Sequence, residues 1–247
     1  MTIIRIKSTD STNLLLKELA REQDLKHGTV LITESQTAGR GLTGNSWESE
    51  PKKNITCSLL LHPTFLAIKQ NFILSKVISL GMKDLLDNYV QSVSIKWPND
   101  MYIESRKIAG ILIENEFQGG RFLQSIVGVG LNVNQEVFLS NAPNPISLKQ
   151  ILKKDLDLDV VLEVMIQRIM HWYEILQKGD LDLITKTYDN SLYQKCGFHF
   201  YKDKSGQFSA QIESVGEDGL LCLKTDTGEK RCYAFKEVSY LNNLSNN

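Results

Sequence analysis

The stretch Gln36-Thr37-Ala38-Gly39-Arg40-Gly41-Leu42-Thr43-Gly44-Asn45-Ser46-Trp47 decides how this chain is read. It follows a β-prone segment, Gly28 to Ser35, in which Val30, Leu31 and Ile32 are apolar. Gly39, Gly41 and Gly44 spell G-x-G-x-x-G, the spacing of a dinucleotide-binding loop. That loop needs a helix directly after it, whose N-terminus holds the pyrophosphate. Here it runs instead into Glu48-Ser49-Glu50-Pro51-Lys52-Lys53-Asn54, polar and broken by proline, and the next apolar run, Ile55 to Leu61, has the length of a strand. No acidic residue stands about twenty positions further on to meet a ribose. The doubly wound reading is therefore excluded, and a glycine-rich loop between two strands remains. Glycines let backbone approach a ligand and offer N–H groups to anions. Arg40 supplies a planar fork for carboxylate or phosphate, and Trp47 a face for a flat ring. A plain hairpin loop with a half-buried tryptophan accounts for the same residues without any ligand.

Composition narrows the field around this loop. The 247 residues, 42% hydrophobic and 23% charged, describe a globular protein with a proper core, as one large domain or a larger plus a smaller one. A formal net charge of −1 gives no global field for nucleic acid. The N-terminus MTIIRIKSTD is no signal peptide and no apolar run reaches membrane length, so a cytoplasmic protein with no membrane partner is expected. Cys57, Cys196, Cys222 and Cys232 form no C-x-x-C pair and lack a nearby histidine set, which argues against zinc. Cys222 and Cys232 can meet across a hairpin, but reduced core thiols are expected in a cytosolic protein.

Upstream of the loop, Ile3, Ile4 and Ile6 predict a strand, and Leu14, Leu15, Leu16, Leu19 and Ala20 a helix. Between them Ser8-Thr9-Asp10-Ser11-Thr12-Asn13 suits helix capping, or more sharply an anion or amide site at a helix start. Downstream, apolar residues from Phe65 and Ile68 to Leu85 and Tyr89 predict a long helix opening near Pro63. Val93 to Trp97 reads as a strand stopped by Pro98-Asn99-Asp100, a plain turn or a carboxylate placed at a strand end. Lys107 to Phe117 and Arg121 to Val133 read as a hairpin about Gly119-Gly120, apolar on both faces and so the covered centre of a sheet. Lys107 and Asn132 interrupt that pattern; a lysine is rarely buried unless something anionic meets it, although at a strand edge it is usually solvated. Asn134 to Ser147 reads as a loop, Val160 to Leu176 and Leu181 to Tyr193 as helices. From Cys196 onward four short strands between glycine turns predict a small barrel or sandwich. The domains are placed at 1–192 and 193–247.

Five segments recur in a particular order: Ser11-Thr12-Asn13, Gln36 to Gly41, Lys96-Trp97-Pro98-Asn99-Asp100, Lys107-Ile108-Ala109-Gly110-Ile111-Leu112, and Gly128-Val129-Gly130-Leu131-Asn132. In that order they resemble the biotin protein ligases, the biotin–[acetyl-CoA-carboxylase] ligases among them. The resemblance implies an α+β fold: a mixed central β-sheet flanked by helices, with a small C-terminal Src-homology-3-like β-barrel. It implies a two-step ATP-dependent ligase with Mg²⁺. Biotin is activated as biotinyl-5′-adenylate and passed to one lysine of a biotin carboxyl carrier protein domain. By resemblance Ser11, Thr12, Asn13, Gln36, Gly39, Gly41 and Gly110 belong to the biotin pocket. Arg40 reaches the carboxylate and phosphate region, and Lys107 bridges the biotin carboxyl and the α-phosphate. Trp47, Asn99 and Asn132 are adenylate neighbours, and Asp100 lies near the adenylate, where it positions or deprotonates the acceptor lysine. No metal ligands are assigned.

Two departures from the family pattern carry expectations. Leu42, Thr43 and Asn45 stand where many members keep further arginines, so the adenylate should be held less firmly. Only ten residues precede Ser11, which implies a monofunctional ligase without the DNA-binding domain of bifunctional members. Central strands pairing edge to edge permit a homodimer. A lipoate- or octanoyl-transferring relative would share the fold but want an apolar tunnel, whereas Ser-Thr-Asn with Gln36 suits a ureido ring. A non-catalytic biotin- or nucleotide-binding protein would not need Lys107, Arg40 and Asp100 together.

Overall fold

The computed structural model describes residues 2–140 and 144–241, so part of the predicted 134–147 loop and the Asn-rich tail fall outside the described residues. A seven-stranded mixed sheet forms the larger body. Its strands are β1 (Ile3–Thr9), β2 (Val30–Gln36), β3 (Ile55–Leu61), β4 (Val93–Lys96), β5 (Asp100–Ile103), β6 (Arg106–Gln118) and β7 (Arg121–Leu131). Their order is β1-β2-β3-β7-β6-β5-β4. Among the described strands of this sheet β1 and β2 pair in parallel, with α1 (Thr12–Glu22) as the crossover between them, and the other neighbouring strands pair antiparallel. On one face α1 buries Leu16 against Leu31, Leu60 and Ile126. On the other lie α2 (Phe72–Leu86), α4 (Leu158–Gln177) and α5 (Leu181–Asn190), with the short α3 (Leu148–Leu152) leading into α4. Gly81 lets α2 and α4 touch, since a methyl there would stand 2.6 Å from the Ile169 Cα.

A five-stranded antiparallel sheet follows: β8 (His199–Asp203), β9 (Gly206–Val215), β10 (Leu221–Thr225), β11 (Lys230–Tyr233) and β12 (Ser239–Tyr240), in the order β11-β10-β9-β8-β12. It matches the expected Src-homology-3-like module. Its buried Tyr201, Ile212, Val215 and Leu223 join the same apolar cluster as α2 and α5, so the module packs on the helical face and shares its core. Lys76 of α2 is buried in that joint and donates to the Val215 carbonyl at 2.8 Å. Burial pushes its ammonium below the ordinary lysine range, against the pull of Asp189 and Glu217.

Three expectations need correction. The helix foreseen near Pro63 begins at Phe72; Phe65 and Ile68 are exposed, and the Ala67 N–H is met by the Gln70 side chain instead of a helical carbonyl. Residues 62–71 carry the chain from the end of β3 to the helix layer. Second, β4 stops before Pro98 as expected, but the turn leads straight into a strand that was not foreseen, β5, which pairs back on β4 with Lys96 opposite Asp100. Third, Cys222 and Cys232 are joined by a disulfide, because the β10–β11 register sets them directly opposite, with Cα atoms 4.1 Å apart. Cys57 is a free, buried thiol, pushed up to about 12 by burial, and Cys196 is free and exposed. Among the described residues no helix is long and apolar enough to cross a membrane.

Candidate active site

Strands β6 and β7 provide the floor of a cavity of about 350 Å³, and the ends of β2 and β4, the start of α1 and the β11–β12 connection wall it. Across the sheet Gly110 pairs with Gly130, and Gly128 lies between Ser58 and Leu112. Glycine inside a strand weakens it and marks a place where something must come close. What comes close is Trp47: a methyl at 130 would stand 2.6 Å from its Nε1, and one at 110 would stand 3.1 Å from its Cζ3. The loop from Gln36 to Trp47 therefore folds back over the sheet. It is closed by the Trp47 N–H to the Gly39 carbonyl at 2.9 Å and includes one 3-10 turn, Leu42–Gly44.

The polar end begins at α1. Ser11 occupies the N-cap position, yet its hydroxyl makes no capping bond; the side chain of Gln36 caps the helix from outside. Gln36 Oε1 accepts from the Thr12 N–H at 2.8 Å and from the Thr12 hydroxyl at 3.1 Å. Ser58 Oγ lies 2.8 Å from the Thr12 hydroxyl and donates to Asn13 Oδ1 at 2.6 Å. Asn13 Nδ2 donates to the Leu112 carbonyl at 3.2 Å and to Glu114 Oε2 at 2.8 Å. Ser11, Thr12 and Asn13 are all buried, so a fixed row of hydroxyl and amide groups faces the cavity.

At the charged end Lys107 Nζ pairs with Asp100 Oδ1 at 2.7 Å, both side chains about three-quarters covered, and sits 5.7 Å from the Trp47 ring centre. Residues 144–146 hold this end of β6: the Lys107 N–H donates to the Asn144 carbonyl, and Ile146 N–H to the Lys107 carbonyl, both at 2.9 Å. Lys96, opposite Asp100, points its ammonium among three tyrosine rings at 4.6 Å (Tyr102), 5.2 Å (Tyr240) and 5.8 Å (Tyr193), and donates to the Tyr102 hydroxyl at 3.2 Å. Burial lowers the pKa of Lys96; Asp100 opposes that shift and Lys107 adds to it. Arg40 reaches across to Glu114 in an ion pair.

The cavity thus gathers Ser11, Thr12, Asn13, Gln36, Arg40, Gly41, Trp47, Asn99, Asp100, Lys107 and Gly110. Gly39 and Asn132, also foreseen, do not line it. Gly39 is wedged inside the loop, where a methyl would stand 2.7 Å from Gln36 Nε2. Asn132 is buried behind the floor, its Nδ2 donating to the Ile146 carbonyl at 3.1 Å and its Oδ1 without a partner. Sequence reasoning missed Lys96 as a member of the site and the C-terminal wall of Phe235, Lys236, Val238, Ser239 and Tyr240. It also missed Glu114, which does not line the cavity but holds Arg40 and Asn13, which do. Glu114 falls three positions after Ile111 in a strand that reads as apolar core, and nothing local in 235–240 signals a ligand. Trp97 ties the two bodies at this wall, its Nε1 donating to the Gly219 carbonyl at 2.9 Å.

Comparison with known proteins follows the same residues. Positions 5–132 match the biotin/lipoate A/B protein ligase family. The bifunctional ligase/repressor BirA of Bacillus subtilis (strain 168) is 25% identical over 233 residues, spanning 91% of this chain and 70% of that protein. The BirA of Escherichia coli (strain K12) is 38% identical over 129 residues, 50% of this chain but 38% of that protein. Among solved structures, the biotin protein ligase from Aquifex aeolicus in complex with biotin and ATP superposes with a TM-score of 0.77 at 26% identity, covering 96% of this chain and 97% of the other. The matched span covers more than half of the chain and all five motif segments, and on that ground the chain belongs to the biotin/lipoate A/B protein ligase family.

Proposed function

We propose that the chain is a biotin protein ligase, which joins biotin to AMP and then to a lysine of a biotin carboxyl carrier protein domain. One observation carries the reading: a row of buried hydroxyl and amide groups and a lysine–carboxylate pair face each other across one cavity. The first suits a ureido ring and the second the place where a carboxylate meets a phosphate. The similar Aquifex structure holds biotin and ATP together. A fatty or lipoyl chain would want an apolar wall in place of Ser11, Thr12, Asn13 and Gln36.

In the first half-reaction a carboxylate oxygen of biotin attacks the α-phosphorus of ATP. The new O–P bond forms as the bond to the bridging oxygen of pyrophosphate breaks. Two anions meet, so preorganised cations stabilise the charge that builds at phosphorus. Lys107, already held beside Asp100, is assigned to the carboxyl and α-phosphate, with Arg40 from the loop. Trp47, Gly41 and Asn99, which line the cavity, are assigned to the nucleotide. In the second half-reaction the neutral acceptor amine attacks the acyl carbon, the amide forms, and AMP leaves. The amine's reference pKa of about 10.4 means that a proton must be lost first, and Asp100 is assigned to position or accept it. Mg²⁺ would neutralise the polyphosphate.

Residues 1–192 are assigned to catalysis and 193–247 to the C-terminal module that closes the cavity; a cytoplasmic location and the carrier domain as partner belong to the same reading. The test is incubation with biotin, Mg²⁺-ATP and a carrier domain, followed by intact mass of the carrier. One biotin per carrier domain is expected. Biotin binding without transfer would replace the ligase reading with that of a binding protein.

A further inference from the structure

Each of the two cations assigned to substrate already has a protein carboxylate. Lys107 is held by Asp100, and Arg40 by Glu114 on β6. Glu114 differs from Asp100 in what else it does: its Oε2 also accepts from Asn13 Nδ2 at 2.8 Å. One carboxylate oxygen therefore joins the start of α1 to the glycine-rich loop. The Arg40 and Glu114 side chains are 37% and 28% exposed, so an entering anion can reach both. A guanidinium on a loop can turn from one carboxylate to another at small cost, because the bidentate fork suits either equally.

We propose that Glu114 is a positioning residue that stands in for the substrate's carboxylate: it holds Arg40 at the cavity rim and yields it only to an anion. The proposal rests on the biotin reading above for the identity of that anion. A ligand with the ring of biotin but no negative charge would occupy the polar wall and leave Arg40 on Glu114. Biotin itself would draw the Arg40 side chain onto its own carboxylate. The exchange makes release of Arg40 depend on the group that reacts, which is a specificity device independent of the ring contacts.

Glu114→Gln removes the competing charge and keeps an oxygen for Asn13. Titration calorimetry on the full chain with biotin and with its side-chain primary amide separates the two roles. Biotin should bind about two- to fivefold more tightly to the variant, the range that a partly exposed ion pair is worth, and the amide should be unaffected. Weaker binding of both ligands, or no change in either, would overturn the proposal. A second readout does not need biotin: trypsin cleaves after Arg40, and release of its side chain should raise cleavage there relative to Lys52 by about the same factor. Should wild type bind neither ligand, the biotin reading fails, and unchanged cleavage at Arg40 would still refute the Arg40–Glu114 exchange by itself. If Glu114→Gln does not fold, Glu114→Asp, one methylene too short to span Arg40 and Asn13, should shift both readouts in the same direction by less; no shift overturns the proposal.

Discussion

Gly128→Ala is the substitution whose cost can be worked most directly from the packing. Gly128 lies in the middle of β7, and it is not among the glycines with positive φ, so alanine meets no backbone objection there. Space is the objection. A methyl at 128 would overlap Asn13 Oδ1 and stand 3.0 Å from its Cγ and 3.1 Å from its Nδ2. Asn13 cannot simply lean away, since Ser58, Leu112 and Glu114 hold it from both sides of the same sheet row. Moving it leaves Ser58, fully buried, without that acceptor. Ser58 keeps the Thr12 hydroxyl at 2.8 Å as an alternative acceptor, so overpacking is the main cost, about 1–3 kcal/mol out of a typical ~5–15. Urea unfolding followed by tryptophan fluorescence measures it. The decisive comparison is with Asn13→Ala, which removes the obstacle. In that background Gly128→Ala should cost at least ~1 kcal/mol less than in wild type. Strict additivity, or a Gly128→Ala protein within ~0.5 kcal/mol of wild type, would refute the argument that this glycine exists to seat Asn13.

Lys107→Ala should lower biotin-dependent ATP–pyrophosphate exchange by on the order of 10²–10³, the usual cost of one preorganised charge-stabilising group; unchanged exchange rejects its role. Because Leu42 and Asn45 replace cations in the loop, the activated intermediate should escape faster than from arginine-rich relatives. Trapping with an excess of free amine would show it, and tight retention would contradict it. His27 gives a pH dependence of stability. Burial and the neighbouring His62 lower its pKa from 6.5, and its Nδ1 accepts the His62 N–H at 3.0 Å, which requires that nitrogen to be bare. The unfolded chain takes up this proton at higher pH than the folded one. Stability from this group is therefore full above about 6.5 and lost as pH falls through the folded value. His27→Gln should flatten that acid decline in Tm, and an identical decline in both proteins would rule the residue out.

The parts of the fold that were legible are those in which period and punctuation agree. Ile55 to Leu61 and the Gly119-Gly120 hairpin were readable because one residue type dominates each face or turn. The α2 start was not: Phe65 and Ile68 keep helical spacing with the helix proper, but the chain uses them to cross between layers, a tertiary demand that local pattern does not carry. The β5 strand was hidden by Pro98, which reads as a stop when the sheet uses it as a turn. In the site, Lys107 stood out by interrupting the apolar pattern of its strand, whereas the roles expected of Arg40 and Asp100 came with the family resemblance. Glu114 was passed over as one polar residue inside a strand read as core, paired there with Ile126. The C-terminal wall was illegible in principle, since Tyr240 meets Lys96, and Lys236 joins the lining, only after two bodies have packed.

Gly110, Gly128 and Gly130 connect these observations, and they do so without any unusual backbone. None has positive φ, so conformational freedom does not account for them. Each instead has a functional side chain of another segment lying where its Cβ would be: Trp47 over Gly110 and Gly130, Asn13 over Gly128. Strand-interior glycines cost stability, and β6 and β7 carry three within two directly paired strands. Had the floor been built of valine and isoleucine like its neighbours, the loop and the start of α1 would be lifted off the sheet by the thickness of a methyl group. Arg40 and Trp47 would then no longer meet Lys107 and Asp100 in one cavity. The segments A-G-I and G-V-G-L-N are therefore motifs for a steric reason: they set how deep the site lies, and the charged residues act at that depth.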